Sequence, residues 1–278
     1  AVARGIDLFH VLQAACINPV VHYNAPIGLL RVGDPADFIA VKDLKHFEVI
    51  SCYINGQLVA SEGKSLITPV KAGAINHFNC NLKKADDFRM LATGIINWPV
   101  IEALDGQLIT NRIEKEITAI NHELTANPDA DILKLVVVNR YQDAPIAKAF
   151  VKNFGIKNGA LASSVAHDSH NIIAVGSNDE AICRAVNLVI ESRGGLSLTD
   201  DKGEMVLPLP IAGLMSNEDG FSVAETYIKL DARAKAMGSP LRAPYMTLSF
   251  MALLVIPHLK LSDLGLFDAD RFAILTAH

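Results

Sequence analysis

The most constraining feature of this sequence is an almost unbroken apolar run, Ile-Leu-Lys-Leu-Val-Val-Val, at residues 132–138. A short run rich in valine and leucine is typical of a strand buried within a sheet. A second strand is predicted at Asn171–Val175 and a helix between the two at Ala144–Phe154, with Asp143 near its cap and Gly155 at its end. Strands and helices therefore alternate within one domain.

Paired strands are indicated by turn signals on either side of this region. Asp105-Gly106 separates Pro99–Leu104 from Gln107–Asn111, and a turn at residues 200–203 separates two further strands, at 196–199 and 205–209. These hairpins predict an α+β domain with a mixed or antiparallel sheet over residues 76–278.

Two capping boxes mark helices in the same domain. Ser177-Asn-Asp-Glu180 predicts a helix that runs to about Ser192, and Ser222-Val-Ala-Glu225 predicts one that ends near Gly238.

The N-terminal part is predicted to form an incomplete structure. A helix is predicted at residues 7–18, capped by Asp7 and ended by Pro19, and strands are predicted at 36–42 and on both sides of Asn55-Gly56. This helix has no earlier element to pack against, the strands are too few to close a sheet, and the chain does not start with Met. We therefore expect a fragment whose larger N-terminal portion is absent.

The composition excludes several kinds of partner. Half of the residues are hydrophobic, a fifth are charged, and the formal net charge is −5 without a basic run, which argues against nucleic acid. No apolar run is long enough to span a membrane. The cysteines, at 16, 52, 80 and 183, are widely spaced, which predicts buried thiols in a reducing cytoplasm.

The densest cluster of reactive side chains is His167-Asp168-Ser169-His170-Asn171. Two imidazoles and a carboxylate can ligate a metal or transfer protons. The spacing aligns both histidines only on a helix, whereas this segment lies between strand-like runs. A loop in which the Asp and Asn side chains accept backbone N–H groups, and the histidines hydrogen-bond at a domain seam, is therefore slightly favoured over a metal site.

Two further segments are weaker candidates. In Pro208–Ser216, Gly213 would permit close backbone approach, and Met215 and Ser216 are candidate substrate contacts, although a rigid buried turn is the simpler interpretation. In Asn139-Arg140-Tyr141, the arginine follows a buried strand, where it would ordinarily be solvated. The remaining histidines are interpreted as structural or exposed.

Several catalytic motifs are absent from the sequence. It contains no His-x-His, His-Glu-x-x-His, Cys-x-x-Cys, Gly-x-Ser-x-Gly or phosphate-binding loop. This weighs against a complete active site in the chain.

Particular segments resemble a known family. Residues 26–41, with the pattern Gly-x-x-x-x-Gly-x-x-Ala-Asp, and residues 49–56 are similar to the C-terminal end of the amidohydrolase superfamily. Four further segments resemble the C-terminal domain of the bacterial adenine deaminase family: Ala162–Gly176, Gly194-Gly195, Leu209–Ser216 and Leu248–Pro257.

The resemblance implies an architecture and a reaction. Residues 1–25 would be the last helix of a metal-dependent (β/α)₈ barrel, 26–75 part of a small composite β-sandwich, and 76–278 the family's C-terminal α+β domain. The whole enzyme would convert adenine and water to hypoxanthine and ammonia in the cytoplasm, through a binuclear Mn²⁺ or Fe²⁺ centre that activates water. Its principal ligands would lie in the absent barrel, so the fragment alone is expected to be inactive, and self-association is expected.

Within this frame, His167, Asp168, His170 and Asn171 are the candidate catalytic residues. Their loop would face a barrel mouth and close the pocket, orient the purine, or hold an accessory metal through His167 and His170. The alternatives are a noncatalytic binding or oligomerisation module, and an amidohydrolase acting on another heterocycle.

Overall fold

A computed structural model describes residues 1–70 and 73–275 and divides the chain into two compact units, Ala1–Lys71 and Ala72–His278. We call them unit 1 and unit 2. Among the described residues, no helix is both long and apolar enough to cross a membrane.

Unit 1 begins with a helical segment. It comprises α1 (Leu8–Leu12), a π-helical turn (Gln13–Ile17) and α2 (Asn18–Tyr23). The predicted cap is confirmed, since the Asp7 carboxylate accepts the N–H groups of Phe9 and His10. The predicted end is wrong: Pro19 falls in the first turn of α2, where a missing N–H is tolerated.

A four-stranded antiparallel meander follows, in the spatial order β1-β2-β3-β4. The strands are β1 (Phe38–Val41), β2 (Val49–Ile54), β3 (Gln57–Ser61) and β4 (Lys64–Ser65). The predicted Asn55-Gly56 hairpin is confirmed, and both turn residues have positive φ, as a type I′ turn requires.

The glycine-aspartate pattern of unit 1 forms a structural clamp. The Asp37 carboxylate accepts the N–H of Gly28 at 2.9 Å and that of Asn55 at 2.7 Å, which lowers its pKa. A Cβ at position 28 would lie 1.9 Å from the carbonyl oxygen of Pro35, so only glycine fits there. The clamp thereby fixes the loop of residues 28–37 against the β2–β3 turn.

Unit 2 is built on an eight-stranded mixed sheet in the order β12-β11-β9-β10-β7-β8-β5-β6, in which only β5 and β8 pair in parallel. Its strands are β5 (Ile95–Ala103), β6 (Thr110–Thr118), β7 (Ile132–Val138), β8 (Ala147–Lys152), β9 (Ala160–Ser163), β10 (Ile172–Gly176), β11 (Gly195–Asp200) and β12 (Gly203–Pro208). The predicted α+β class with a mixed sheet is confirmed.

Both faces of this sheet are covered. The helix α3 (Asp179–Glu191) packs on one face. The helices α4 (Gly220–Ala236) and α5 (Pro244–Phe250) pack on the other. A three-stranded sheet lies with them, formed by β13 (Leu259–Ser262), β14 (Gly265–Asp268) and β15 (Ala273–Ile274). Every residue of β7 is consequently buried, as the apolar run predicted.

The predicted helix at Ala144–Phe154 is wrong, because residues 147–152 form β8. Ala149 and Val151 belong to the core on one face of the sheet and Phe150 to the core on the other, so burial follows a two-residue period. The strand lies between β7 and β5, and this pairing outweighs the helical signals on either side of it.

Other local predictions need correction. The cap of α3 is Asn178 rather than Ser177, whose hydroxyl bonds to Gly159 instead, and the cap of α4 is Asp219 rather than Ser222. Cys16 is exposed, contrary to the expected burial.

Candidate functional site

The His167–Asn171 segment lies in the connection between the adjacent antiparallel strands β9 and β10. The N–H of His167 donates to the carbonyl of Ser249 in α5, and the N–H of His170 donates to the carbonyl of Ala166. The second bond closes a tight turn, as expected for a loop between strands, and the first ties this turn to α5.

The structure brings the two histidine side chains together. Their ring centroids lie 6.0 Å apart, and the ring of His167 stacks on Phe250 with a centroid distance of 5.1 Å. Burial lowers the pKa of His170, the Coulombic effects of His167 and Arg140 lower it further, and that of Asp168 opposes them. The His170 imidazole is therefore mainly neutral at pH 7 and can accept or donate one hydrogen bond.

Asp168 and Asn171 point in different directions. Asp168 is exposed, whereas Asn171 is buried, and its side-chain oxygen accepts the backbone N–H of Arg140 at 3.2 Å. Asn171 thus fastens the loop to the end of β7. Of the four predicted residues, only the two histidines form a pair of reactive groups.

We expect Asn171→Ala to lower the free energy of unfolding by about 1–3 kcal/mol, because it leaves the buried N–H of Arg140 without its acceptor. Chemical denaturation measures this change. Asn81→Ala removes an exposed amide hydrogen bond to Asp143 and should stay within about 0.5 kcal/mol of the parent. Equal effects of the two substitutions would show that Asn171 does not fasten the loop.

Arg140 is the residue that sequence reasoning placed wrongly, since it is buried, with only 4% of its surface exposed. Its guanidinium lies over the rings of Tyr141 and Phe78, 4.7 and 5.7 Å from their centroids. It donates to the Tyr141 hydroxyl at 3.0 Å, and that hydroxyl donates to the carbonyl of Ser169 at 2.8 Å. We call Arg140, Tyr141, His167 and His170 the Arg140 cluster.

The Pro208–Ser216 segment contributes backbone to this cluster. A Cβ at Gly213 would lie 2.1 Å from Arg140 Nη1, so the predicted close approach at this glycine is confirmed. Met215, a candidate substrate contact, is 56% exposed, and the hydroxyl of Ser216 accepts the N–H of Glu218.

A metal site is not evident in the described part of the chain. Within residues 1–70 and 73–275, no three His, Cys, Asp or Glu side chains are arranged to hold an ion. An accessory metal at His167 and His170 would therefore need ligands from elsewhere.

A second polar cluster, which the sequence did not reveal, lines a cleft of about 270 Å³. Lys134 Nζ contacts both carboxylate oxygens of Asp179, at 2.5 and 2.8 Å, and the carbonyl of Phe88. Burial raises the pKa of Asp179. Burial also opposes ionisation of Glu123, but Arg89, Asp179 and Lys134 bring the Glu123 pKa below its ordinary value. Lys134 stands in an otherwise apolar strand, and this is the sequence signal that could have revealed the cluster.

The chain matches two known sequence families. A sequence model described as Adenine deaminase C-terminal domain matches residues 107–273, and one described as Amidohydrolase family matches residues 1–59.

Curated relatives named adenine deaminase align with almost the whole chain. The relative from Sulfurovum sp. is 52% identical over 98% of this chain, that from Salinibacter ruber 51% over 98%, and that from Borreliella burgdorferi 48% over 99%. The alignments cover 50% of each relative, so the chain spans about half the length of the curated relatives it matches.

Proposed function

The chain belongs to the adenine deaminase family, and we propose that it forms the C-terminal half of an enzyme that converts adenine and water to hypoxanthine and ammonia. One observation carries this proposal: the amidohydrolase and adenine deaminase matches occur in order along the chain, while the relatives of that name are about twice as long. The activity therefore belongs to a longer polypeptide.

Unit 1 supports the existence of a covering partner. Among its described residues, large apolar side chains such as Phe9, Val21 and Tyr23 of the helical segment are at least 70% exposed. Ile39, Val49 and Ile50 of the meander are about half exposed. Apolar surface of this extent is normally covered by further protein. We propose that the other half of the enzyme covers it, with the helical segment closing a barrel and the meander completing a β-sandwich.

The proposed binuclear Mn²⁺ or Fe²⁺ centre does not fit the described residues, which offer no three suitable ligands in one place. We assign the metal ligands to the other half of the enzyme. The contribution of this chain is then to shape and close the substrate site rather than to bind the catalytic ions.

The His167–Asn171 loop is the part of unit 2 that we propose faces the adenine site. Its histidines adjoin one another, His170 is mainly neutral, and Asn171 and Tyr141 hold the turn in one conformation. A neutral imidazole on a fixed loop is suited to hydrogen bonding with a purine ring nitrogen or an exocyclic amine.

We expect His167→Ala and His170→Ala, made in the full-length enzyme, each to lower kcat/KM for adenine by at least about tenfold, the loss typical of a misplaced substrate-orienting group. Steady-state assays with metal analysis measure this. His46→Ala, at a histidine whose side chain is 68% exposed, is the matched control and should be unchanged. Unchanged kinetics and metal content in both test variants would assign the loop a purely architectural role.

The proposal also specifies where the enzyme acts in the cell, whether it self-associates and which substrate it uses. A purine-salvage enzyme would act in the cytoplasm, in agreement with four free cysteines. Self-association stays a prediction, which light scattering on the full-length enzyme would measure. A panel of heterocycles would separate adenine from another amidohydrolase substrate.

A further inference from the structure

We propose that the Arg140 cluster binds a small oxyanion, a phosphate or a carboxylate, held by the guanidinium of Arg140 with support from Tyr141 and His170. This site belongs to unit 2 and does not depend on the deaminase activity.

The first observation is a buried cation without an acidic partner. Arg140 is 96% buried, and none of the ion pairs found among residues 1–70 and 73–275 includes it. By contrast, Arg233 pairs with Asp200 and Lys134 with Asp179. Burial of a charge is unfavourable unless an opposite charge or a full set of hydrogen bonds compensates it.

The second observation is that the hydrogen-bonding capacity of Arg140 is largely unused. A guanidinium carries five N–H groups. In Arg140, the Nε atom is buried and has no partner, Nη2 donates to Tyr141, and Nη1 makes one long contact of 3.4 Å to Asn76. The remaining donors lie in the guanidinium plane and have the fork geometry that carboxylates and phosphates match in a bidentate manner.

The third observation is that the guanidinium is already held in position. The rings of Tyr141 and Phe78 cover it, and the absence of a side chain at Gly213 lets Nη1 lie against the backbone. A fixed donor group loses little conformational entropy on binding, which favours ligand recognition.

The adjoining turn offers a further hydrogen-bond donor, because a neutral imidazole such as that of His170 carries one N–H. His167 and His170 lie beside one another on the adjoining turn, and the acidic residue of this turn, Asp168, is exposed. The nearby carbonyl of Ser169 is already occupied by the Tyr141 hydroxyl. Only 4% of the Arg140 surface is exposed, so an anion bound to its guanidinium would be largely shielded from solvent.

The experiment is calorimetric titration of the 278-residue chain with inorganic phosphate and, in a second arm, acetate, at constant ionic strength. Arg140→Lys keeps the positive charge but loses the paired N–H donors of the planar guanidinium. Tyr141→Phe keeps the aromatic ring but loses the hydroxyl that orients Nη2. We expect the parent to bind one anion per chain and Arg140→Lys to bind about 10- to 150-fold more weakly, the loss expected for one charge-assisted hydrogen bond. Tyr141→Phe should weaken binding less.

The control is Arg184→Met, which removes an arginine whose side chain is half exposed and which should bind as the parent does. The arm that gives the tighter binding identifies the anion as phosphate or carboxylate. Absence of binding in both arms, or equal binding by the parent and by a folded Arg140→Lys variant, would overturn the proposal and leave Arg140 as a structural support for Tyr141.

Discussion

Replacing Asp179 by alanine is expected to lower the free energy of unfolding by about 3–5 kcal/mol, the range for breaking a buried ion pair. The side chain of Lys134 is 1% exposed, and Asp179 is the carboxylate that contacts its Nζ, since Glu123 lies 3.9 Å away. Without Asp179, the carbonyl of Phe88 is the one close acceptor that the described residues would leave for the Lys134 charge. The loss arises from this uncompensated charge in the interior of the sheet.

Chemical denaturation of the parent and the variant measures the effect, and two comparisons isolate it. Glu225→Ala breaks an exposed pair with Lys229 on α4 and should change the stability by no more than about 0.5 kcal/mol. The double variant Lys134→Met with Asp179→Leu should be more stable than Asp179→Ala, because it removes both charges. If Asp179→Ala changes the free energy of unfolding as little as Glu225→Ala does, Asp179 does not compensate the charge of Lys134.

The contribution of Lys260 to the stability of the chain is expected to rise between pH 8 and pH 10. This lysine is fully buried, and its Nζ donates to the carbonyls of Leu108 and Phe250. Burial lowers its pKa from 10.5 to about 8. Between these values the unfolded chain binds the proton more strongly than the folded chain, so the free energy of unfolding increases with pH. The full difference corresponds to about 3 kcal/mol.

Other buried groups titrate in the same range and act in the opposite direction. Burial raises the pKa of the Cys80 and Cys183 thiols and of the Tyr245 hydroxyl, so their ionisation in the unfolded chain lowers stability at high pH. The measurement is therefore the stability difference between the parent and Lys260→Met, by denaturant titration at each pH. This difference should shift in favour of the parent as the pH rises, and a constant difference would contradict the depressed pKa.

Local sequence signals were sufficient for much of unit 2. The strand β7 begins and ends where its apolar run does, and α3 was predicted within two residues of its observed ends. The β11–β12 hairpin also follows its predicted turn. These elements were predictable because their apolar periods and end signals agree with the tertiary fold.

The strand β8 shows where local signals fail. Pro145 and Gly155 resemble the start and end of a helix, yet the segment between them is held as a strand by β7 on one side and β5 on the other. The pairing partners lie many residues away in sequence, and tertiary packing outweighs intrinsic propensity.

The candidate site shows the same division between local and distant information. The two histidines were identifiable from the local cluster of reactive residues in the sequence. By contrast, Tyr141 contacts Ser169 across 28 residues and Arg140 contacts Asn171 across 31. Lys134 and Asp179 are 45 residues apart. Such contacts depend on strand order, which a single sequence does not reveal, so Arg140 was expected on the surface and is instead buried.

The most direct test of the proposed function is an adenine deamination assay on two proteins: this chain alone, and this chain fused behind the N-terminal half of the Sulfurovum relative, which is 52% identical over the shared region. We expect the fusion to release hypoxanthine and ammonia and to bind metal, whereas the chain alone does neither. Deamination by the chain alone, or a folded and metal-loaded fusion without activity, would contradict the proposal that this chain is the substrate-closing half of an adenine deaminase.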